Sequence, residues 1–196
     1  MRFILVRHGE TQWNTSGRFG GYTDVPLNEK GKLQADNAGR KLMNESINKV
    51  YCSDLSRARD TAKAIMKHHN LPIHYSQDIR EMNFGKWEGL TYKQILEDYP
   101  DLSKKWVEDY TNVACLEGES LKMFYDRIAD AFKNIREQTL EDETVLIVAH
   151  SGVIKGILCK EIIGSVDGFW KFKVENGGIV LLEYDGDFPI LSALNM

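Results

Sequence analysis

The chain has 196 residues, 42% hydrophobic and 28% charged, which is the composition of one ordinary globular domain with enough apolar material for a core. Its net charge of −4 excludes a global basic field of the kind that holds nucleic acid or an anionic membrane, so an anionic ligand needs a local basic pocket. Cys52, Cys115 and Cys159 are scattered and form neither a metal-ligand spacing nor a disulfide framework, and the apolar run at the N-terminus is too short for a signal peptide or a membrane span, so a reducing cytoplasm is the expected setting.

Phe3 to Val6 is a short apolar run that ends at Arg7-His8-Gly9, and it reads as a buried strand stopping at a polar turn. From Glu10 to Leu27 the chain carries Gly17, Gly20 and Gly21 with no clear period and reads as a loop. Asn28 is a cap for a helix with Ala35, Ala38 and Leu42 on one face. Lys49 to Cys52 is a second strand, after which Ser53 is expected to cap a helix bearing Ala58, Ala62 and Ile65; Pro72 to Tyr75 is a weak third strand. Thr91 and Gln94 have capping-box spacing ahead of Ile95 and Leu96, Pro100 should end that helix, and a short one follows through Trp106. Ser120 opens a long amphipathic helix with Leu121, Phe124, Ile128, Ala131, Phe132 and Ile135. Thr144 to Ala149 is the clearest buried strand; it ends at His150-Ser151-Gly152, and a helix with Ile154, Ile157 and Leu158 follows. Gly178 to Tyr184 and Ile190 to Leu194 read as two more strands. This alternation predicts an α/β class with a mainly parallel sheet, in a single domain over residues 1–196. Residues 91–125 interrupt it with extra helix, expected to form a cap over a site.

Two histidines occupy equivalent places. His8 follows the first strand and His150 the best later one, and functional groups of parallel sheets gather at the carboxyl ends of strands. Either alone is more often a polar strand terminator, as His68, His69 and His74 are expected to be. Arginine suits a phosphate because its planar fork donates two parallel hydrogen bonds. Arg7 adjoins His8, and Arg57 lies near a helix N-terminus, where free N–H groups favour an anion. By itself Arg57 reads more often as a surface residue, as neighbouring Arg59 does. Glu81 stands beside Met82 and Phe84 near the Gly85 turn; partial burial there would keep a proton available for a leaving group.

Six motifs in order resemble the histidine phosphatase superfamily, the phosphoglycerate mutase-like family. They are Leu5-Val6-Arg7-His8-Gly9-Glu10-Thr11 with Trp13-Asn14, and Leu27-Asn28-Glu29-Lys30-Gly31 with Gln34-Ala35; then Ser53-Asp54-Leu55-Ser56-Arg57-Ala58 with Thr61-Ala62, and Glu81-Met82-Asn83-Phe84-Gly85-Lys86-Trp87-Glu88-Gly89; last, Glu117-Gly118-Glu119-Ser120 and Val148-Ala149-His150-Ser151-Gly152. The resemblance implies a three-layer sandwich, a mainly parallel central sheet with helices on both faces, and a helical cap insert. It implies His8 as the nucleophile that carries the phosphoryl group, with Arg7, Arg57, His150 and Asn14 around the phosphate. Glu81 would protonate the leaving oxygen and then help activate water, so His8, Glu81 and His150 form the expected catalytic set. Gly20, Gly21 and Ser151 are the expected substrate-binding residues. No metal or other cofactor is implied: cationic donors stabilise the transition-state charge, and a covalent intermediate splits one displacement into two.

The wording Phe84-Gly85-Lys86-Trp87-Glu88-Gly89 resembles broad-specificity and alpha-ribazole phosphatases, so the expected reaction is hydrolysis of a small phosphomonoester, alpha-ribazole phosphate among the candidates. Cofactor-dependent phosphoglycerate mutase is the alternative, but the mutases carry a pair of arginines in the insert. Here no arginine lies between Arg80 and Arg127, and Lys104-Lys105 reads as a solvated face. A catalytically silent phospho-ligand binding module is a second alternative, against which the intact set of His8, Arg7, Arg57, Glu81 and His150 argues. The insert region is aromatic, with Trp87, Tyr92, Tyr99, Trp106, Tyr110, Phe124 and Tyr125; most should be core, and any at the mouth would favour an organic leaving group with an apolar or ring portion. The expected partner is a small-molecule phosphomonoester, with no nucleic acid and no membrane; a homodimer stays open.

Overall fold

In the computed structural model, which describes residues 1–196, the strands sort their side chains by alternation. Phe3 and Leu5 of β1 (Arg2–Arg7) and Val145 and Ile147 of β4 (Thr144–Ala149) face one way, and Ile4, Val6, Leu146 and Val148 face the other. Both strands are buried on both faces, which is why they read as continuous apolar runs. The six-stranded sheet has the order β3-β2-β4-β1-β5-β6, with β2 at Lys49–Ser53, β3 at His74–Ser76, β5 at Ile179–Asp185 and β6 at Phe188–Leu194. β3, β2, β4 and β1 pair in parallel, and β5 and β6 add an antiparallel edge. The expected α/β three-layer sandwich with a mainly parallel sheet is therefore what the chain adopts.

Two helices cover the Ile4 and Val6 face. α2 (Glu29–Leu42) contributes Ala38 and Leu42, and α3 (Ser56–Met66) contributes Ala58, Ala62 and Ile65. Asn28 caps α2 by accepting from the Gly31 N–H at 2.8 Å. The opposite face carries α6 (Leu121–Glu137) and α7 (Ser151–Leu158) through Phe124, Ile128, Phe132, Ile135, Val153 and Ile157. Ser120 caps α6, and Thr91 and Gln94 form a true capping box for α4 (Tyr92–Asp98). Pro100 ends α4 and opens α5 (Pro100–Glu108) at a position that has no N–H to lose.

Several elements differ from the sequence reading. The Glu10–Leu27 loop contains one helical turn, α1 (Gln12–Thr15), too short to show a period; Thr11 and Asn14 cap it reciprocally. Ser53 does not cap α3. It ends β2, and α3 starts three residues later behind Leu55, which makes no side-chain cap. β3 starts at His74 rather than Pro72, and β6 starts at Phe188. α7 runs on into a π-turn at Cys159–Ile163, stopped by Gly164 at φ +81°, and a 3-10 segment at Val166–Lys171 follows. Within the 91–125 insert, Leu121, Phe124 and Tyr125 are the first buried residues of α6 and belong to the main core, as does Trp87 before it. No helix is long and apolar enough to cross a membrane.

Phe132 is almost fully buried, with its ring 4.9 Å from that of Phe3, and it ties α6 to the central strand. Phe132→Ala should destabilise the fold by about 3–5 kcal/mol in urea unfolding, the usual cost of an aromatic cavity in a core. A loss below about 1 kcal/mol would show that α6 closes over the gap.

Candidate active site

The pairing of β1 with β4 puts Arg7 level with Ala149, so the next residues, His8 and His150, leave the sheet side by side. The His8 N–H continues the ladder by donating to Ala149 O at 3.0 Å, and the two ring centroids are 5.1 Å apart at 63°. Both residues are buried. Nδ1 of His8 lies 2.7 Å from Gly9 O. A carbonyl only accepts, so Nδ1 carries the proton and Nε2 keeps its lone pair. Burial first, then the charges of Arg57 and Arg7, hold His8 well below the ordinary histidine range. The ring is thus neutral and nucleophilic at Nε2. His150 is held low by the same causes, burial first and then Arg57. Its Nδ1 accepts from Arg57 Nε at 3.3 Å, which leaves Nε2–H to donate to Ser53 Oγ at 2.8 Å.

The arginines are held by carbonyls. Arg57 donates to Gly21 O at 2.7 Å and to Thr23 O at 3.0 Å, and Arg7 donates to Val174 O at 2.7 Å. These partners orient the guanidinium groups without neutralising them. Nε of Arg7 is buried without any partner, a donor left over for an anion. Arg57 is buried and Arg7 half-buried, and desolvation lowers both pKa values, with Glu81 opposing. The site therefore combines two uncompensated cations with two neutral imidazoles, the electrostatic inverse of a phosphate.

Glu81 reaches the same place from the other side. Its Oε2 accepts from Gly152 N at 3.0 Å, at the N-terminus of α7, and its Oε1 accepts from Met82 N at 3.0 Å. Gly152 leaves room for that carboxylate: a Cβ there would overlap Oε1 of Glu81 and push it aside. Asn14 is exposed, and its Oδ1 accepts from Thr11 N at 3.0 Å and from Asn176 Nδ2 at 3.1 Å, which turns its amide nitrogen the other way. Gly21 contributes the carbonyl under Arg57, Gly20 packs by the Trp13 ring, and Ser151 opens α7 between two cavities. His68, His69 and His74 lie away from this cluster, His69 bonded to Leu42 O.

Residues 3–196 match the Histidine phosphatase superfamily (branch 1). The chain belongs to that superfamily. An adenosylcobalamin/alpha-ribazole phosphatase of Salmonella typhimurium is 31% identical over 195 residues, covering 100% of this chain and 96% of the relative. Phosphoserine phosphatase 1 of Hydrogenobacter thermophilus is 30% identical over 196 residues, covering 100% and 92%. The crystal structure of the alpha-ribazole phosphatase of Shigella flexneri superposes with a TM-score of 0.95 at 30% identity, covering 100% of this chain and 96% of that one.

Within this superfamily member, the supporting residues were invisible to sequence reasoning. Ser53, read as a cap, is the partner of His150. Glu88 accepts from Tyr22 N at 2.7 Å and Thr23 N at 2.6 Å and also bonds the Thr23 hydroxyl, so it fixes the loop whose carbonyls hold Arg57. Asn176 donates to His8 O at 3.2 Å. Ser53 and Glu88 carried a signal only as members of motifs, and Asn176 carried none. Glu88 and Glu10, the other carboxylates near the site, are committed: Glu10 to Lys30 at 2.9 Å and Asn28 at 3.0 Å. No group of three or more His, Cys, Asp or Glu is placed to hold a metal ion.

A buried neutral histidine binds fewer protons than the unfolded chain. Its stabilisation is therefore complete above the unfolded value near 6.5 and is lost as pH falls from there toward the depressed folded values of His8 and His150. In that window each histidine should contribute a slope of up to about 1.4 kcal/mol per pH unit. Urea unfolding of His8→Asn/His150→Asn between pH 7 and 5 should show a flatter acid limb than the parent. An unchanged slope would mean the rings are charged in the folded state.

Proposed function

We propose that this phosphatase-family chain hydrolyses small organic phosphomonoesters by passing the phosphoryl group through His8. The single observation that carries this is the His8 Nδ1 to Gly9 O bond, which frees Nε2 of a buried ring that feels the charges of Arg57 and Arg7. Nε2 attacks phosphorus, the bond to the ester oxygen breaks, and Glu81 delivers a proton to that oxygen. Water then attacks the phosphohistidine, Glu81 takes the water's proton, and the P–N bond breaks to restore neutral His8. Arg7 Nε and the Arg57 fork meet the developing equatorial charge; positioned cations do the work a metal does elsewhere. A phosphate oxygen between Arg57 and His150 would draw the Arg57 Nε–H from Nδ1; the neutral His150 ring then carries its one proton on Nδ1 toward the anion, and Nε2 accepts from the Ser53 hydroxyl.

A cavity of about 230 Å³ adjoins Glu81, Ser151 and Gly152 and is lined by Phe19, Phe84, Trp106, Tyr110, Phe169 and Trp170. The 91–125 insert supplies Trp106 and Tyr110, so it acts as a cap over the leaving-group side. Such a wall favours a leaving group with an apolar or ring portion. Alpha-ribazole phosphate, acted on by the Salmonella and Shigella relatives, has that character, and it and phosphoserine are the first substrates to assay. Mutase activity is disfavoured because Lys104 and Lys105 are exposed and line neither cavity at the site. Three free, buried cysteines suit a reducing cytoplasm.

His8→Ala should lose about 10⁴-fold or more in kcat, as removal of a nucleophile does in covalent enzymes. Trapping during turnover in EDTA should label His8 with acid-labile phosphate; label on a serine or cysteine, or activity abolished by EDTA and restored by Mg²⁺ or Zn²⁺, would sink the mechanism.

Glu81→Gln should lose on the order of 10²–10⁴-fold in the phosphoryl-transfer step with alkyl phosphates, the range of general acid catalysis, and much less with p-nitrophenyl phosphate, whose leaving group departs unaided. Gly152→Ala, by displacing Glu81, should reproduce that pattern, and the double variant should be no worse than Glu81→Gln alone. Equal slowing of the pre-steady-state burst for both substrates would remove Glu81 from the acid role.

A further inference from the structure

Lys155 lies one turn beyond Ser151 on α7 and faces both cavities that flank the site, the aromatic one of about 230 Å³ and a polar one of about 580 Å³. The other lysines of these cavities are paired, Lys30 with Glu10 at 2.9 Å and Lys173 with Glu175 at 2.9 Å. Lys155 makes no hydrogen bond and no ion pair. Its ammonium instead sits over the rings of Trp170 at 5.0 Å and Phe169 at 5.5 Å. The rings stabilise the cation through their faces but accept none of its three N–H donors in a regular hydrogen bond. Burial lowers its pKa from the ordinary lysine value, while the charge of Glu81 raises it. An ammonium partly stripped of water and lacking an acceptor is costly unless a ligand supplies one.

We propose that Lys155, with Ser151 and Trp170, forms a subsite for a carboxylate on the leaving group, so that the substrates are phosphate esters of hydroxy acids. This rests on the phosphatase reading above and narrows it. The body of the hydroxy acid lies along the aromatic wall, and its carboxylate meets the ammonium. Lysine reads such a group as a point charge, without the fork geometry of arginine.

O-phosphoserine and O-phosphoethanolamine differ only by one carboxylate and make a matched pair. The parent protein should favour phosphoserine in kcat/KM. Lys155→Met, which keeps the apolar stem on Trp170 and Phe169, should lower the phosphoserine to phosphoethanolamine ratio by about tenfold or more, mainly through KM, in line with removal of a charge-assisted contact. Lys155→Arg should restore most of the ratio, which also controls for misfolding of the Met variant. A ratio unchanged in Lys155→Met, or a parent that prefers phosphoethanolamine, would overturn the subsite while leaving the phosphatase reading in place. Equal losses on both esters with a shifted pH profile would overturn it in favour of Lys155 acting through Glu81. A parent inactive on both esters and on p-nitrophenyl phosphate would overturn the phosphatase reading and the subsite with it.

Discussion

Everything at the site depends on the register in which β1 lies against β4. Because Arg7 pairs with Ala149, the first residue past each strand is a histidine, and the two rings come within 5.1 Å with no loop to hold them there. β2 adds the third strand end: Cys52 pairs with Val148, which puts Ser53 beside the His150 ring. A slip of one residue would turn Ile4 and Val6 from one helical layer to the other and separate the rings as well. The apolar alternation that sets the register for packing therefore sets it for chemistry too.

The second constraint is electrostatic. A buried guanidinium, Arg57, and a half-buried one, Arg7, have carbonyl oxygens rather than carboxylates as hydrogen-bond partners. Carbonyls satisfy the donors and leave the charge. Burial first, and then the field of that charge, depresses both histidines and leaves the His8 ring neutral, so one arrangement suits an anion and keeps the Nε2 lone pair free. Glu88 and Asn176 serve it at one remove, by fixing the loops that present those carbonyls and the His8 backbone.

The residues at strand ends were legible in the sequence because a short apolar run followed by a polar turn has few meanings in an α/β chain. His8, His150 and Arg7 follow from that pattern, and Asn28, Thr91 and Ser120 from capping chemistry, which is local. What was not legible is what distance in sequence hides. Ser53 resembled a cap because serine before an apolar period usually is one; its real partner lies 97 positions away. The carbonyls of Gly21, Thr23 and Val174 have no side-chain signature at all. Lys155 carries no signal of its own in the sequence, and only the approach of Phe169 and Trp170, from the 3-10 segment, takes its ammonium partly out of water. The aromatic insert divided: Phe124, Tyr125 and Trp87 went to the core, while Trp106 and Tyr110 reached the cavity.

The anchoring of Arg7 has a consequence for biosynthesis. Its carbonyl partner, Val174, is 167 positions downstream, and Gly177 N and Asn176 Nδ2 close on the His8 carbonyl from the same segment. β1, the first strand to leave the ribosome, sits between β4 and β5, two of the last. His8 is made at the outset but stays unframed through almost all of translation, during which an apolar strand waits for both neighbours. Such distant pairings make folding slow and leave that strand open to wrong partners. A nascent chain consequently cannot frame Arg7 and His8 until residues 174–178, and β5 directly behind them, have emerged.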